Sequence, residues 1–175
     1  HASYALEALR FMVSFATSLA MVENRIFMGN GNIISLILQD ELLHKGWTAF
    51  LINQVVKEDE RFHSIQEECK DEVYALYMDV IREEKEWADY LFQKGPVIGL
   101  NANILKDFVD YTALESLKAI GIKYNEPAPR VSPIPWFNKH SDTSKKQTAL
   151  QENESTNYVI GVMSESLDYD ALPEL

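Results

Sequence analysis

Three residues on two predicted helices have the types and spacing of metal ligands. Glu41 and His44 are three positions apart, so a helix places both side chains on one face. Glu-x-x-His is the pattern with which di-metal helical bundles present a carboxylate and an imidazole to one ion. Glu7, in an otherwise apolar run, offers a further carboxylate, because a lone buried carboxylate must be paired, protonated or bound to metal. Iron, manganese and zinc all suit these ligands.

Each of these residues also has an ordinary structural interpretation. Glu7 could form a salt bridge with Arg10 or a lysine elsewhere, and Glu-x-x-His alone is a weak signal. A complete di-metal bundle takes a Glu from each of two helices and a Glu-x-x-His from each of two others, so this chain has half of the pattern. His1, His63 and His140 lack a comparable setting and are predicted to be ordinary surface residues.

The periodicity of apolar residues predicts four helices that would position the ligands. They cover residues 3–28, 33–56, 59–93 and about 103–120, and we predict that Gly29 and Gly31 end the first one. Trp47 and Trp87 are predicted to pack in the core. No convincing strand pattern is present, so the predicted fold class is all-α.

The first predicted helix is apolar on nearly every side, which indicates either a buried helix or a membrane span. Glu7 and Arg10 interrupt it and leave the run from Phe11 to Val22, whereas about 20 apolar residues are needed to span a bilayer. We therefore predict a buried helix and no membrane association.

The character of the sequence changes after the fourth helix. We predict a helical bundle over residues 1–124, a Pro-rich strap over 125–137 and a disordered, acidic tail over 138–175. Trp136 and Phe137 are predicted to pin the strap to the bundle. The formal net charge is −11, and residues 150–175 contribute six acids and no Lys or Arg, so much of the acidity belongs to the tail.

Composition narrows the classes of function. The 175 residues suffice for one domain with a core, and the net charge of −11 argues against a general nucleic-acid binder, which needs a basic face. A single cysteine, Cys69, excludes an intramolecular disulfide and suits a reducing compartment such as the cytoplasm. His1 leads almost directly into a helical pattern with no initiator Met, so we expect the chain to be the C-terminal part of something longer.

Several runs of sequence, taken in order, resemble the C-terminal half of the small subunit of class I ribonucleotide reductase, in its bacterial and T-even-like phage forms. These runs are ALEALRFMVSFATSLAMVEN, GNGNIISLILQDELLHKGW, EEKEWADYLF, GLN, PIPWF and STNYVIG. The resemblance covers essentially the whole chain. It implies a partial ferritin-like di-metal bundle.

The resemblance implies roles for residues around the metal. Glu7, Glu41 and His44 would be ligands of one iron, and Asp40 would link a metal-ligand histidine to an electron-transfer tryptophan. Three apolar residues would line the pocket that shields a tyrosyl radical from water. These three are Phe11, Phe15 and Ile37.

The resemblance also implies roles for the tail. Tyr158 would relay the radical toward the large subunit, with Glu152 as the nearby tail glutamate. The last residues, about 168–175, would dock into the large subunit with Leu172 and Leu175 as apolar anchors.

The chain departs from the family pattern in important ways. The family's other iron ligands, its radical-bearing tyrosine and its electron-transfer tryptophan precede the region that this chain matches and are not in this chain. Within the strap, the run SPIPWF begins with Ser132 where the family more often has Asn, and the ending YDALPEL differs from common bacterial endings. We expect the chain alone to bind metal weakly and to form no stable tyrosyl radical.

The resemblance implies part of an enzyme, the ribonucleoside-diphosphate reductase small subunit, with two iron ions per complete subunit and manganese as the alternative. Its partners would be the large subunit, the N-terminal half of the small subunit and a second complete small subunit, in the cytoplasm (of the host, if phage-encoded). Two other functions stay open: another ferritin-like di-metal oxidase or metal-storage protein, and a helical adaptor that binds a partner through its tail.

Overall fold

The computed structural model describes residues 1–97 and 99–141, and this part of the chain is helical apart from one isolated bridge between Val97 and Leu100. The helices, in chain order, are α1 (Ala2–Ala5), a π segment (Leu6–Arg10), α2 (Met12–Glu23), α3 (Met28–Glu58), α4 (Glu60–Glu68), α5 (Lys70–Leu91), α6 (Ala102–Ala119) and a 3₁₀ helix (Pro135–Lys139). The tail residues 142–175 and Ile98 lie outside the described residues.

The N-terminal helix, formed by α1, the π segment and α2, lies at the centre of the bundle and contacts α3, α5 and α6. By length and composition alone, Ala2–Glu23 could cross a membrane. Its buried residues instead form a large part of the protein core, as predicted. They are Tyr4, Ala5, Ala8, Leu9, Met12, Val13, Phe15, Ala16, Leu19 and Ala20.

The turn between α2 and α3 differs from the sequence prediction. The first helix ends at Glu23 rather than 28, where the Asn24 amide donates to the Ala20 carbonyl at 2.7 Å. Arg25 and Phe27 make the turn in left-handed backbone conformation, with φ of 59° and 55°. The prediction that Gly29 and Gly31 end the helix was wrong, because both lie in α3.

Gly31 is needed for packing rather than for termination. A Cβ atom at this position would lie 2.1 Å from Val22 Cγ2, well inside the van der Waals distance. The absence of a side chain therefore lets the start of α3 pack closely against the end of α2.

The predicted third helix is broken at Cys69 into α4 and α5. The Asp59 side chain starts α4 by accepting a hydrogen bond from the Arg61 amide at 3.0 Å. Asn101 starts α6 in the same way, accepting from the Ile104 amide at 3.0 Å. Both are N-caps that satisfy amides left free by the first helical turn.

The strap crosses the packed face of α5 and α6. The Tyr124 hydroxyl donates to the buried Asp110 carboxylate, which also pairs with Lys85 at 2.6 Å. Phe137 is buried, with its ring 5.1 Å from the ring of Phe108, and Trp136 is half-buried against the same core. The prediction that these two aromatic residues pin the strap is confirmed.

The prediction that Trp47 and Trp87 pack in the core was wrong. Trp87 lies at the surface, where its ring stacks on Tyr90 at 5.3 Å and its indole N–H donates to Ser14 at 3.2 Å. Trp47 is 62% exposed and stacks on Phe50. Trp47 occupies a face of α3 that no described element covers.

Candidate metal centre

The structure brings together the three residues singled out from the sequence. Glu7 comes from the π segment, and Glu41 and His44 come from α3. One ligand atom from each lies within 4.8 Å of the others. His44 Nδ1 is 3.3 Å from Glu41 Oε2, as expected for side chains one turn apart.

The Glu7 carboxylate is held by hydroxyl groups on both sides. Ser3 Oγ donates to Oε1 at 2.9 Å, and Thr48 Oγ1 donates to Oε2 at 3.0 Å. The alternative salt bridge between Glu7 and Arg10 does not form, because Arg10 pairs with Glu83. Glu7 is half-buried rather than fully buried. Its hydrogen bond with Thr48 connects it to α3, the helix that carries Glu41 and His44.

The donor set suits a divalent transition-metal ion. Oxygen and imidazole ligands bind such an ion at about 2.0–2.2 Å, so two ligands of one ion lie at most about 4.4 Å apart. The cluster is already close to that limit and needs only a small contraction. Among the described residues, neither carboxylate is ion-paired with a Lys or Arg, which leaves a net negative site for a cation.

Lys45 does not neutralise the cluster, although it follows His44 in sequence. Burial lowers the pKa of its amine, and the charge of Glu115 on α6 partly offsets that effect. This lysine therefore belongs to the α3–α6 side of the helix.

The π segment sets the position of Glu7. Its five residues, Leu6–Arg10, contain one of the three clustered side chains, and the helix resumes α geometry at Met12. Such π segments occur often at functional sites because the extra residue in the turn redirects side chains. The sequence carries no signal that distinguishes this segment from ordinary α-helix.

His44 lies in a stripe of apolar side chains along the uncovered face of α3. At 100° per residue its members fall within a narrow arc, and each is exposed in the structure. The stripe comprises Ile33, Ile37, His44, Trp47 and Leu51. We call it the α3 stripe; Glu41 and Thr48 lie along one edge of it.

The other residues expected around the metal divide between buried and exposed positions. Phe15 is buried and Phe11 is half-buried, with ring centres 6.0 Å apart. Ile37 is exposed in the α3 stripe, so the described residues do not form a closed apolar pocket from all three. Asp40 is exposed at the same face of α3. Tyr158, Glu152, Leu172 and Leu175 lie outside the described residues.

Sequence reasoning missed the hydroxyl groups that hold Glu7, although spacing could have found them. Ser3 lies one turn before Glu7, and Thr48 lies one turn after His44.

It also misjudged two histidines as ordinary surface residues. His140 is half-buried between Glu23, at 2.9 Å, and Ser35, at 3.1 Å, and the His1 ring lies 3.0 Å from the Tyr77 hydroxyl. These are contacts over long sequence separations that no local pattern indicates.

Comparison with known proteins gives the family. Residues 1–129 match the family described as ribonucleotide reductase, small chain. Ribonucleoside-diphosphate reductase 1 subunit beta of Salmonella typhimurium is 41% identical over 170 residues, which are 96% of this chain and 45% of that protein. The subunit beta of Enterobacteria phage T4 is 35% identical over 172 residues, 96% of this chain and 44% of that protein. The chain therefore spans less than half the length of these relatives.

Solved structures agree on the fold. The R2 subunit from Clostridium botulinum has a TM-score of 0.71 at 23% identity, covering 79% of this chain and 43% of that one. A putative class I ribonucleotide reductase from Bacillus halodurans has a TM-score of 0.68 at 23% identity, covering 78% and 48%. The predicted all-α, ferritin-like bundle is thus confirmed. Together with the sequence match over 129 residues, the chain belongs to the ribonucleotide reductase small-chain family.

Proposed function

We propose that this chain supplies the C-terminal half of the small subunit of a ribonucleoside-diphosphate reductase. The observation that carries the proposal is the Glu7–Glu41–His44 cluster, assembled from two helices within a sequence of this family. Because the chain spans 45% of its Salmonella relative, the activity belongs to an assembly larger than these 175 residues.

Glu7, Glu41 and His44 are proposed as the ligands that this chain gives to one metal ion. The complete subunit would hold two ions, iron in the first instance and manganese as the alternative. When bound, the metal centre supplies the redox chemistry that oxidises a tyrosine to the radical used in deoxyribonucleotide synthesis. Ser3 and Thr48 orient the Glu7 carboxylate, as hydrogen-bonding partners of metal ligands commonly do.

The α3 stripe is proposed as the surface that receives the N-terminal half of the subunit. Its exposed apolar side chains are Ile33, Ile37, Trp47 and Leu51. Asp40 and His44 are exposed between them on the same face. Because His44 lies within this stripe, the segment that covers it would also bring further ligands to the metal. The same cover would enclose Ile37 with Phe11 and Phe15 around the radical, and would surround Asp40.

The tail is proposed to connect the small subunit to the large one. Tyr158 would carry the radical between subunits, with Glu152 beside it in the sequence, and Leu172 and Leu175 would anchor the docking peptide. The complete small subunit would be a homodimer in the cytoplasm.

Reconstitution tests the proposal. The chain is titrated with Fe²⁺, alone and mixed with the N-terminal half of a relative's small subunit, then exposed to O₂ and studied by electron paramagnetic resonance. We expect weak binding and no stable tyrosyl radical for the chain alone, and both tighter binding and the radical for the mixture. A strong tyrosyl radical signal from the chain alone would contradict the proposal.

Single variants identify the ligands. Glu41→Ala should weaken Fe²⁺ binding at least about 10–100-fold. Glu58→Ala, which removes an exposed carboxylate from the same helix, is the matched control and should leave binding unchanged. Equal binding by the two variants would remove Glu41 from the site.

Two tail variants separate this function from its alternatives. Tyr158→Phe should abolish nucleotide reduction with metal binding intact, which another di-metal oxidase would not show. Deleting residues 168–175 should abolish large-subunit binding. An adaptor without metal chemistry would survive Glu7→Ala and Glu41→Ala unchanged.

A further inference from the structure

A buried carboxyl group lies on α5, which packs against the π segment. The buried residues of α5 form one stripe along the helix, and every other member is an apolar or aromatic residue. They are Tyr77, Val80, Ile81, Glu84 and Ala88. Glu84 is only 4% exposed, so it occupies a position where packing alone favours an apolar side chain.

The Glu84 carboxyl is incompletely satisfied. Its Oε2 atom is buried and has no hydrogen-bond partner among the described residues. An unsatisfied buried polar atom costs about 1–3 kcal/mol, and more if it is charged. A glutamate at this position therefore costs stability.

The Glu84 carboxyl titrates close to neutral pH. Burial raises the pKa of Glu84 to about 7; the Arg10 charge acts to lower it and the Glu83 charge to raise it. Its charge state therefore changes within the range in which enzymes commonly exchange protons.

The Arg10 charge acts on two neighbouring carboxyl groups. Arg10, the last residue of the π segment, forms an ion pair with Glu83, whose side chain is about 39% exposed. Glu84, the next residue on α5, is buried, and the same guanidinium charge acts to lower its pKa. One arginine thus lies between an exposed carboxyl group and a buried one.

Two charged residues of α6 are paired with residues of α5, the His1 ring lies 3.0 Å from the Tyr77 hydroxyl, and α2 brings Ser14, bonded to Trp87. The α6 pairs are Lys85–Asp110, at 2.6 Å, and Asp89–Lys106, at 2.9 Å. Arg10 is therefore the cation that responds to ionisation of Glu84.

We propose that Glu84 is a proton-exchange site that controls the ion pairing of Arg10. When the Glu84 carboxyl releases its proton to water, the guanidinium breaks its bond to Glu83 and forms one to Glu84. No other bond changes, and the arginine stays charged. Because Arg10 ends the π segment and Glu7 lies three residues before it, the exchange alters the segment that presents Glu7. The inference does not depend on a metal being bound.

Infrared spectroscopy of the full chain tests the exchange. The carboxylic-acid carbonyl band of a buried glutamate should titrate with a midpoint near 7 in the wild type and be missing in Glu84→Gln. Arg10→Gln should raise the midpoint and Glu83→Gln should lower it, each by about one pH unit, since they remove charges of opposite sign. No titrating band, or shifts of the same sign in the two exposed variants, would overturn the proposal.

Hydrogen exchange tests the link to the π segment. Amide protection in the peptide covering residues 6–11 is compared between wild type and Glu84→Gln at each pH, which cancels the intrinsic pH dependence of exchange. The ratio should change across the infrared midpoint, and Glu68→Gln, an exposed glutamate on α4, should show no change relative to wild type. A constant ratio for Glu84→Gln would show that ionisation of Glu84 does not alter the π segment, which would overturn this part of the proposal. A failure of Fe²⁺ binding would count against the proposed function and leave this result standing.

Discussion

Helices α6 and α3 are both rich in apolar residues, yet they are packed very differently. Helix α6 has 18 residues and buries eight of them, including Leu105, Phe108 and Leu117. Helix α3 has 31 residues, of which only Gly31 and Leu38 are buried. The apolar side chains of α3 are thus in excess of what the described residues cover, and the ligand His44 lies among them.

This difference indicates that the candidate metal site and the main uncovered surface of the described residues are one face. If the site were closed within the described residues, its side chains would be buried, as the packed residues of α5 and α6 are. Instead, His44 is exposed, and Glu41 lies at the edge of the α3 stripe. Covering the stripe and completing the ligand set would then be a single event, because the same incoming segment does both.

Truncating one side chain on each helix should give the largest difference between α6 and α3. Leu117→Ala should lower the free energy of unfolding by about 2–5 kcal/mol, because it leaves a cavity in a fully buried site. Trp47→Ala should change it by less than about 0.5 kcal/mol, because the indole is exposed. Urea denaturation of the chain measures both.

When association with the N-terminal half is measured, Trp47→Ala should have a larger effect than Leu117→Ala. Trp47→Ala should weaken association with the N-terminal half at least about tenfold, as expected for an aromatic residue central to an interface. If Trp47→Ala destabilised the chain alone as much as Leu117→Ala, the α3 stripe would be covered within this chain. The difference in packing between α3 and α6 would then not hold.

The sequence predicted which three side chains lie together better than it predicted their surroundings. Glu41 and His44 followed from their spacing, and Glu7 from the cost of a carboxylate in an apolar run. Burial was predicted poorly for Trp47 because an apolar helix gives the same pattern whether its cover belongs to this segment or to another. The burial of Glu84 was not predicted, for the opposite reason: it lies in a Glu/Lys-rich run, and such runs normally face solvent.

The next prediction concerns the place where the start of α3 packs closely against the end of α2. Gly31→Ala should cost about 1–3 kcal/mol, because the new methyl group would overlap Val22. Gly46→Ala is the matched control in the same helix. No atom lies within 4 Å of its added Cβ, so it should stabilise the chain by about 0.5–1 kcal/mol.

A double-mutant cycle separates this overlap from a general effect on the helix. Combining Gly31→Ala with Val22→Ala should recover part of the loss, giving a favourable coupling of at least about 0.5 kcal/mol. Purely additive effects would mean that α3 is loosely packed along its whole length, and that its contrast with α6 is even larger than the structure shows.

The last prediction has the weakest effect and concerns the residues directly after the strap, which contact the end of α2. Glu23 pairs with Lys139 at 2.5 Å and with His140 at 2.9 Å. Burial acts to raise the pKa of Glu23, but its hydrogen bonds to both residues and their charges outweigh burial, and the pKa lies below its ordinary value. The folded state therefore favours the carboxylate, so the pair stabilises the protein at neutral pH.

The sign of this linkage fixes the pH dependence. A lowered carboxyl pKa contributes stability that is fully present above the unfolded value of about 4.3 and is lost as the pH falls through the folded one. Glu23→Gln should thus cost about 0.5–1 kcal/mol at pH 7, and the cost should shrink steadily between about pH 5 and pH 3. Glu68→Gln, at an exposed position, should show no such trend in urea denaturation. A cost for Glu23→Gln that stayed constant with pH would mean that the side chain anchors the strap by packing, as the apolar contacts of α6 do, and not by its charge.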